Sequence, residues 1–238
     1  MIYNMTKQIY SSEIGKNGYL KTLGLINLIQ DCENLHINSL EKFNNFLNEH
    51  QVGVFLNYRQ VHIIRRPEVL EWVKLKTWPY ETKGFLGYRN TLMFDSNNEV
   101  LMKSYCLGTF INISTNRFVR LPNDIVESIG QYESYNDMPY YGRHIEIHQA
   151  DEIEQKNEFV VRRVHIDTYQ HMNNSFYVTF AEDLIPDFDY NMIRVEYKHA
   201  VKEGETLTPY VYKYSDKYVI TLNKGDIISC ILEFSKER

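Results

Sequence analysis

The sequence predicts an α+β fold built twice over, and three observations carry that prediction. A helix-periodic stretch is followed by several long strand-like runs, the same order of elements returns after a polar interval, and aromatic residues are abundant, with 19 Tyr and 12 Phe in 238 residues. One helix ahead of several alternating runs is the pattern of α+β rather than of regularly alternating α/β units. A high Tyr and Phe content favours pleated, half-buried surfaces over a helical bundle.

In chain order, Lys7 to Ile14 reads as an opening strand, closed by the turn pair Asn17 and Gly18. From about Thr22 to Leu40, Leu25, Leu28, Ile29, Cys32 and Leu35 recur at helical spacing and predict a helix with one buried face. After an Asn-rich interval come strand-like runs at Val54 to Arg65, Val69 to Trp78, Gly84 to Phe94 and Val100 to Phe110, with Asp95-Ser96-Asn97-Asn98 as a hairpin turn. Pro122 to about Lys156 breaks the rhythm. It is polar and acidic, holds Asn136-Asp137-Met138-Pro139, Gly130 and Gly142, and reads as a linker wrapping the surface. The pattern then restarts with a strand at Phe159 to Val164 and a helix beginning near Asn174, carried by Phe176, Tyr177, Phe180, Ala181 and Leu184. Runs at Met192 to His199, Thr206 to Tyr214, Lys217 to Leu222 and Ile227 to Phe234 follow. This places a first unit at 1–135, a linker at 136–157 and a second unit at 158–238.

Shifting the first half by 152 residues, so that Ile14 falls on Ile166, tests the duplication by register. Leu20 then falls on Met172, Leu25 on Tyr177, Leu28 on Phe180 and Asp31 on Asp183. The apolar skeleton is shared while the polar residues are not: Gly15 meets Asp167, Tyr19 meets His171 and Lys21 meets Asn173. Only the second unit holds candidate chemistry.

That chemistry lies in His165 to Tyr177, HIDTYQHMNNSFY. Asp167, Tyr169 and His171 share a short polar connection, followed by Asn173 and Asn174 and then the apolar helix. An Asn cap leaves first-turn amides pointing back at the loop, where a developing oxyanion would meet free N–H groups and the positive end of the helix dipole. A carboxylate and an imidazole just upstream suit acid/base work on a carbonyl, imidazole being the side chain that titrates nearest neutrality. The same residues also fit a capped helix with a structural His.

Other function classes fall away on composition. A net charge of -5 without a basic block argues against nucleic-acid binding. Cys32, Cys106 and Cys230 lie far apart, without zinc or redox spacing, and suit a reducing cytoplasm. His36, His50, His62, His144, His148 and His165 show no metal-ligand spacing, so neither metal nor cofactor is expected. The opening MIYNMTKQIYSSE has no signal-length apolar run and no segment approaches a membrane span, so no membrane partner is expected.

The HIDTYQHMNNSFY stretch resembles the signature of the acyl-acyl carrier protein thioesterases: Asp, any, Asn, any, His, any, Asn, Asn, then an aromatic helix. Asp167, His171, Asn173 and Asn174 match, and Tyr177 falls where that family tends to carry Tyr. In the first half, Gly53-Val54-Phe55-Leu56, Arg65-Arg66-Pro67, Thr77-Trp78-Pro79, Arg89 and Phe94-Asp95 are similar to the family's strand runs. The resemblance spans most of the chain and implies two tandem hotdog units, each a long helix wrapped by a curved antiparallel sheet. Within them, the first unit would hold an acyl-chain pocket and the second the catalytic residues.

The implied activity is hydrolysis of fatty acyl thioesters on acyl carrier protein, ending chain elongation in fatty acid synthesis. Asp167 and His171 would be catalytic, Asp167 acting on water or on the thioester and His171 polarising or relaying the proton, and Tyr169, Asn173 and Asn174 would position substrate or hold the oxyanion. The partner would be acylated carrier protein, met by a monomer or homodimer, with Arg65-Arg66 and Arg162-Arg163 as candidate docking charges. The chain departs from the pattern at Tyr169, where the family has Asn, and at Ala200 and Val201, where it has Glu and Cys. Glu196, four residues before Ala200 and roughly 13 Å along a strand, is too distant to replace that carboxylate. An acyl-coenzyme A thioesterase and a non-catalytic acyl-binding hotdog protein are the alternatives.

Overall fold

A computed structural model describes residues 1–237, in two compact units: residues 1–57 with 61–141, and residues 58–60 with those from 142 onward. The first unit runs β1 (Tyr3–Gln8), a 3₁₀ turn at Ser11–Glu13, α1 (Thr22–Ser39), α2 (Glu41–Glu49), β2 (Val52–Ile63), β3 (Trp72–Lys83), β4 (Leu86–Phe94), β5 (Val100–Asn112), β6 (Arg117–Phe118) and α3 (Asn123–Ile129). Its strands lie in the order β1-β3-β4-β5-β2, with β6 on the edge of β5. The hairpin between β4 and β5 turns on Asp95, whose side chain accepts from the N–H groups of Asn97 and Glu99 while Asn98 takes a positive φ of 63°.

The second unit contains β7 (Glu152–Gln155), β8 (Phe159–Val160), a 3₁₀ turn at Arg163–His165, α4 (Asn174–Glu182), β9 (Met192–Tyr197), β10 (Thr206–Lys213), β11 (Lys217–Lys224) and β12 (Ile227–Ser235). Its order is β9-β12-β11-β10-β7, and β8 also pairs with β10. Helix α3 and strand β7 fall inside the stretch read from sequence as a wrapping linker. Strand β7 escaped that reading because all four of its residues are exposed, so no apolar alternation marks it.

The inner faces of the two helices also differ from the sequence pattern. Along α1 the buried residues are Thr22, Leu25, Ile26, Leu28, Ile29, Cys32, Glu33 and His36, whereas Leu35 is 45% exposed. Glu33 and His36 can face inward because the sheet offers them polar partners. Thr91 donates to Glu33 Oε1 at 2.9 Å, the Cys106 thiol lies 3.7 Å from the same oxygen, and the Arg89 guanidinium sits 2.7 Å from His36 Nδ1 and 3.1 Å from Thr77 Oγ1. Burial foremost, and then Arg89, holds the His36 imidazole down at about 4. Burial, with Glu33 beside it, pushes the Cys32 thiol up to about 12.

The second unit fills the corresponding positions with apolar groups. Displaced by 152 residues, Glu33 and His36 become Ile185 and Phe188, and through the strand registers Thr77, Thr91 and Arg89 become Val211, Ile220 and Tyr218. Phe188 and Tyr218 meet edge to face at 4.9 Å, where His36 and Arg89 meet in the first unit. The architecture therefore tolerates either a polar or an apolar filling beneath its helix.

The strongest sign of duplication is in the backbone. Gly15 N–H donates to Tyr19 O, Lys21 N–H to Glu13 O and Leu20 N–H to Pro67 O. In the second unit Asp167 N–H donates to His171 O, Asn173 N–H to His165 O and Met172 N–H to Val201 O. The isolated bridge between Ile14 and Leu20 returns between Ile166 and Met172, and the positive φ of Gly18 (85°) returns at Gln170 (63°). One strand-turn-helix junction is built twice from different side chains.

Candidate functional site

The 3₁₀ turn Arg163–His165 delivers the chain into a five-residue loop, Asp167 to His171, closed by the Asp167 N–H bond to His171 O (2.8 Å) and the Gln170 N–H bond to Asp167 O (3.1 Å). Gln170 pays for that tightness with a left-handed φ, a conformation that disfavours side chains with a Cβ. Inside the loop one carboxylate oxygen, Asp167 Oδ1, accepts from the backbone N–H of Tyr169 (2.8 Å) and of His171 (3.2 Å). Asp167 thus grips the His171 main chain. No hydrogen bond joins its carboxylate to the imidazole among the described residues, and the half-buried His171 ring makes no side-chain hydrogen bond there either. Tyr169 stands at the loop tip, half-exposed.

The chain then enters α4. Asn173 is the N-cap: its Oδ1 accepts from Ser175 N–H at 3.0 Å and from Ser175 Oγ at 2.9 Å. Its own N–H is bonded to His165 O at 2.8 Å, so the Asn173 amide is not available to an oxyanion as the sequence had suggested. Asn174 N–H, one residue on, donates to nothing among the described residues and lies at the positive end of the helix.

Two tyrosines fix that helix start, and sequence reasoning singled out neither for this role. The Tyr197 hydroxyl donates to Asn174 O at 3.2 Å, and its ring meets Tyr177 edge to face at 5.7 Å. Burial, then neighbouring Cys230, pushes the Tyr177 hydroxyl above the usual phenol range. The alternation of β9 was the available signal, since it directs Tyr197 and Val195 to the same face. Phe176 and Phe180 join Phe159 and His165 in a half-buried aromatic cluster, with ring separations of 4.1 to 6.3 Å. The buried face of α4 is instead Ser175, Tyr177, Val178 and Ala181.

Comparison with the first unit shows what is open here. Position 66 there corresponds to Ala200, as Pro67 does to Val201, 134 residues on. Arg66 donates to Leu20 O (3.0 Å) and to Thr22 Oγ1 (3.0 Å), covering the start of α1 with a guanidinium. Ala200 has nothing to cover the start of α4 with. The family carboxylate missing at 200 is not replaced by Glu196, which accepts from Ile145 N–H (3.1 Å), His144 (3.1 Å) and Lys198 (3.4 Å). Although burial alone would raise its pKa, those donors hold it below the usual carboxylate range. Cys230 is fully buried and its thiol is pushed up by that burial, which removes it as a nucleophile.

Of the two arginine pairs considered from sequence, Arg65 is engaged by Glu71 at 2.6 Å and Arg66 by the start of α1. Arg162 and Arg163 are exposed and have no ion-pair partner among the described residues. No cluster of metal-ligating side chains and no helix long and apolar enough to cross a membrane occurs among the described residues.

The chain matches the family model described as the acyl-ACP thioesterase N-terminal domain over residues 1–129, and that of the C-terminal domain over residues 147–235. Among curated proteins none matches by sequence. Solved structures of the same fold include a putative oleoyl thioesterase from Lactobacillus plantarum, 19% identical, with TM-score 0.85 over 100% of this chain and 98% of that one. An acyl-ACP thioesterase from Bacteroides thetaiotaomicron is 17% identical, with TM-score 0.85 over 99% of this chain and 98% of its own. The 12:0-ACP thioesterase from Umbellularia californica is 17% identical, with TM-score 0.83 over 98% and 96%. These likenesses establish two tandem hotdog units of α+β class. Both halves of the sequence, matched in order by the two domains of one family, make this chain a member of the acyl-ACP thioesterase family and a thioester hydrolase.

Proposed function

We propose that the chain hydrolyses the thioester between a fatty acyl group and acyl carrier protein, releasing a free fatty acid and so ending chain elongation in fatty acid synthesis. The observation that supports this most is the uncovered start of α4, with the Asn174 N–H free and Asp167 and His171 in the loop leading to it. In this reading Asp167 fixes the loop and His171 accepts a proton from water as that water attacks the thioester carbon. Asn174 N–H, aided by the helix dipole, stabilises the oxyanion. On collapse the C–S bond breaks and His171 returns its proton to the leaving thiolate. Tyr169, exposed at the loop tip, contacts the substrate arm outside the bond that breaks, and Asn173 serves as the cap that aims Asn174.

Arg162 and Arg163 supply the charge for an acidic carrier, and three buried cysteines outside any disulfide favour a reducing cytoplasmic setting. The reaction as drawn needs no cofactor. Incubation with carrier-bound acyl chains of graded length, against matched coenzyme A thioesters, should yield free fatty acid faster from the carrier. Asp167→Ala and His171→Ala should each abolish release while the thermal transition persists. Equal or greater rates on coenzyme A would replace the carrier reading with that of an acyl-coenzyme A thioesterase.

A further inference from the structure

From an aromatic pair flanked in sequence by unpaired cations on the first unit, we propose a peripheral docking surface for anionic phospholipid bilayers, a role that does not rest on the thioester chemistry. Phe85, in the turn joining β3 and β4, and Phe118, in β6, stack at 4.5 Å with their planes 19° apart. They are 39% and 64% exposed, and Ile113, in the turn before β6, is 56% exposed. Pairing brings these tips together: Phe110 N–H donates to Phe85 O, and Ile111 is registered with Phe118. The two stacked rings leave on the order of 200 Å² of apolar surface in water, and Ile113 adds exposed apolar surface at the end of strand β5.

Lys83, Arg117 and Arg120 each lie within two residues of Phe85 or Phe118 in the chain, and all three are exposed. None of them has an ion-pair or hydrogen-bond partner for its side chain among the described residues. Glu81, two residues before Lys83, is the carboxylate nearest in sequence on that hairpin; Asp124, on α3, is held by Lys42 at 2.8 Å. An exposed ring in a turn stacked on one in a short edge strand, with cations next to both in sequence, suits the boundary of a bilayer, where aromatic rings settle among headgroups and Lys and Arg meet anionic phosphates. A protein partner would bury the rings against side chains and leave three cations to be matched singly. A continuous anionic surface satisfies all of them at once.

Co-sedimentation of the full chain with vesicles of phosphatidylcholine containing phosphatidylglycerol, against phosphatidylcholine alone, tests this. The expected result is binding to the anionic vesicles only, weakened about tenfold or more by the charge reversal Lys83→Glu/Arg117→Glu/Arg120→Glu and likewise by Phe85→Ser/Phe118→Ser. Both variants should keep the thermal transition and hydrolysis of a short, soluble acyl thioester. Absence of wild-type binding, or binding untouched by either variant, overturns the proposal. So does self-association abolished by Phe85→Ser/Phe118→Ser without vesicle binding, which would assign the patch to a second copy of the chain. Loss of carrier protein affinity in the charge-reversed variant, again without vesicle binding, would overturn it in favour of the carrier.

Discussion

Placing the first unit's arginine into the second unit tests whether an open helix start is what separates them. In Ala200→Arg the new side chain occupies the position from which Arg66 donates to Leu20 O and Thr22 Oγ1, both at 3.0 Å. The corresponding acceptors are Met172 O and the Asn174 side chain, on the same backbone template. A hydrogen bond from a charged donor contributes about 1.5–3 kcal/mol, so a substrate carbonyl displacing two partly exposed ones gives up about 3 kcal/mol, roughly 100-fold in kcat/KM. Steady-state hydrolysis, with a thermal melt on the same sample, reads both consequences: activity falls by about two orders of magnitude while Tm holds or rises. Ala200→Ser should retain activity, since it cannot span to either acceptor. Full activity in a well-folded Ala200→Arg enzyme would refute the idea that catalysis needs this space.

Further outcomes follow from the same geometry. Asn173→Ala removes the cap on α4 and should lower stability by about 1 kcal/mol together with kcat, read by urea unfolding and turnover. Tyr197→Phe deletes the 3.2 Å bond to Asn174 O and should reduce kcat several-fold with little change in KM, because the hydroxyl holds the helix start and does not bind substrate. His36, held neutral down to about 4 by burial and then by Arg89 and the N-terminal ammonium, stays unprotonated in the folded chain at pH values where an unfolded chain takes up a proton. Its contribution is therefore complete above about pH 6.5 and is lost as pH falls toward 4, to a total of about 3 kcal/mol. Urea unfolding between pH 7 and pH 4 should show a shallower acid loss for His36→Gln than for wild type; parallel curves would rule out the buried imidazole as a source of acid sensitivity.

The parts of this molecule legible in the sequence were those where one local rule dominates. Asn173 and Asn174 ahead of an apolar run mark a helix start, and Asp95 to Asn98 carry turn chemistry, so both features sit where local reasoning put them. The 152-residue register was legible too, since Ile14, Leu20, Ile166 and Met172 are apolar for a shared reason: each pair forms the bridge that closes its loop. What escaped was whatever depended on a distant partner. Leu35 read as part of the buried stripe, yet it is exposed while Glu33 is buried, where Thr91 and Cys106, more than 50 residues away, give the carboxylate polar partners. Arg66 read as a docking charge because nothing in its neighbourhood reveals a bond to Leu20, 46 residues back. The Asn173 amide looked free because its acceptor, His165 O, is set by the folded loop.

Strained Gln170 stands where the other copy of the junction has Gly18, both with a positive φ. A full side chain in place of glycine narrows the range of shapes available to the loop before folding, and a stiffer unfolded loop loses less freedom when it closes. Within the loop that Gln170 helps to close, the Asp167 N–H bond to His171 O and the His171 N–H bond to Asp167 Oδ1 tie the two residues together through the main chain, so their separation is set before any side chain meets a ligand.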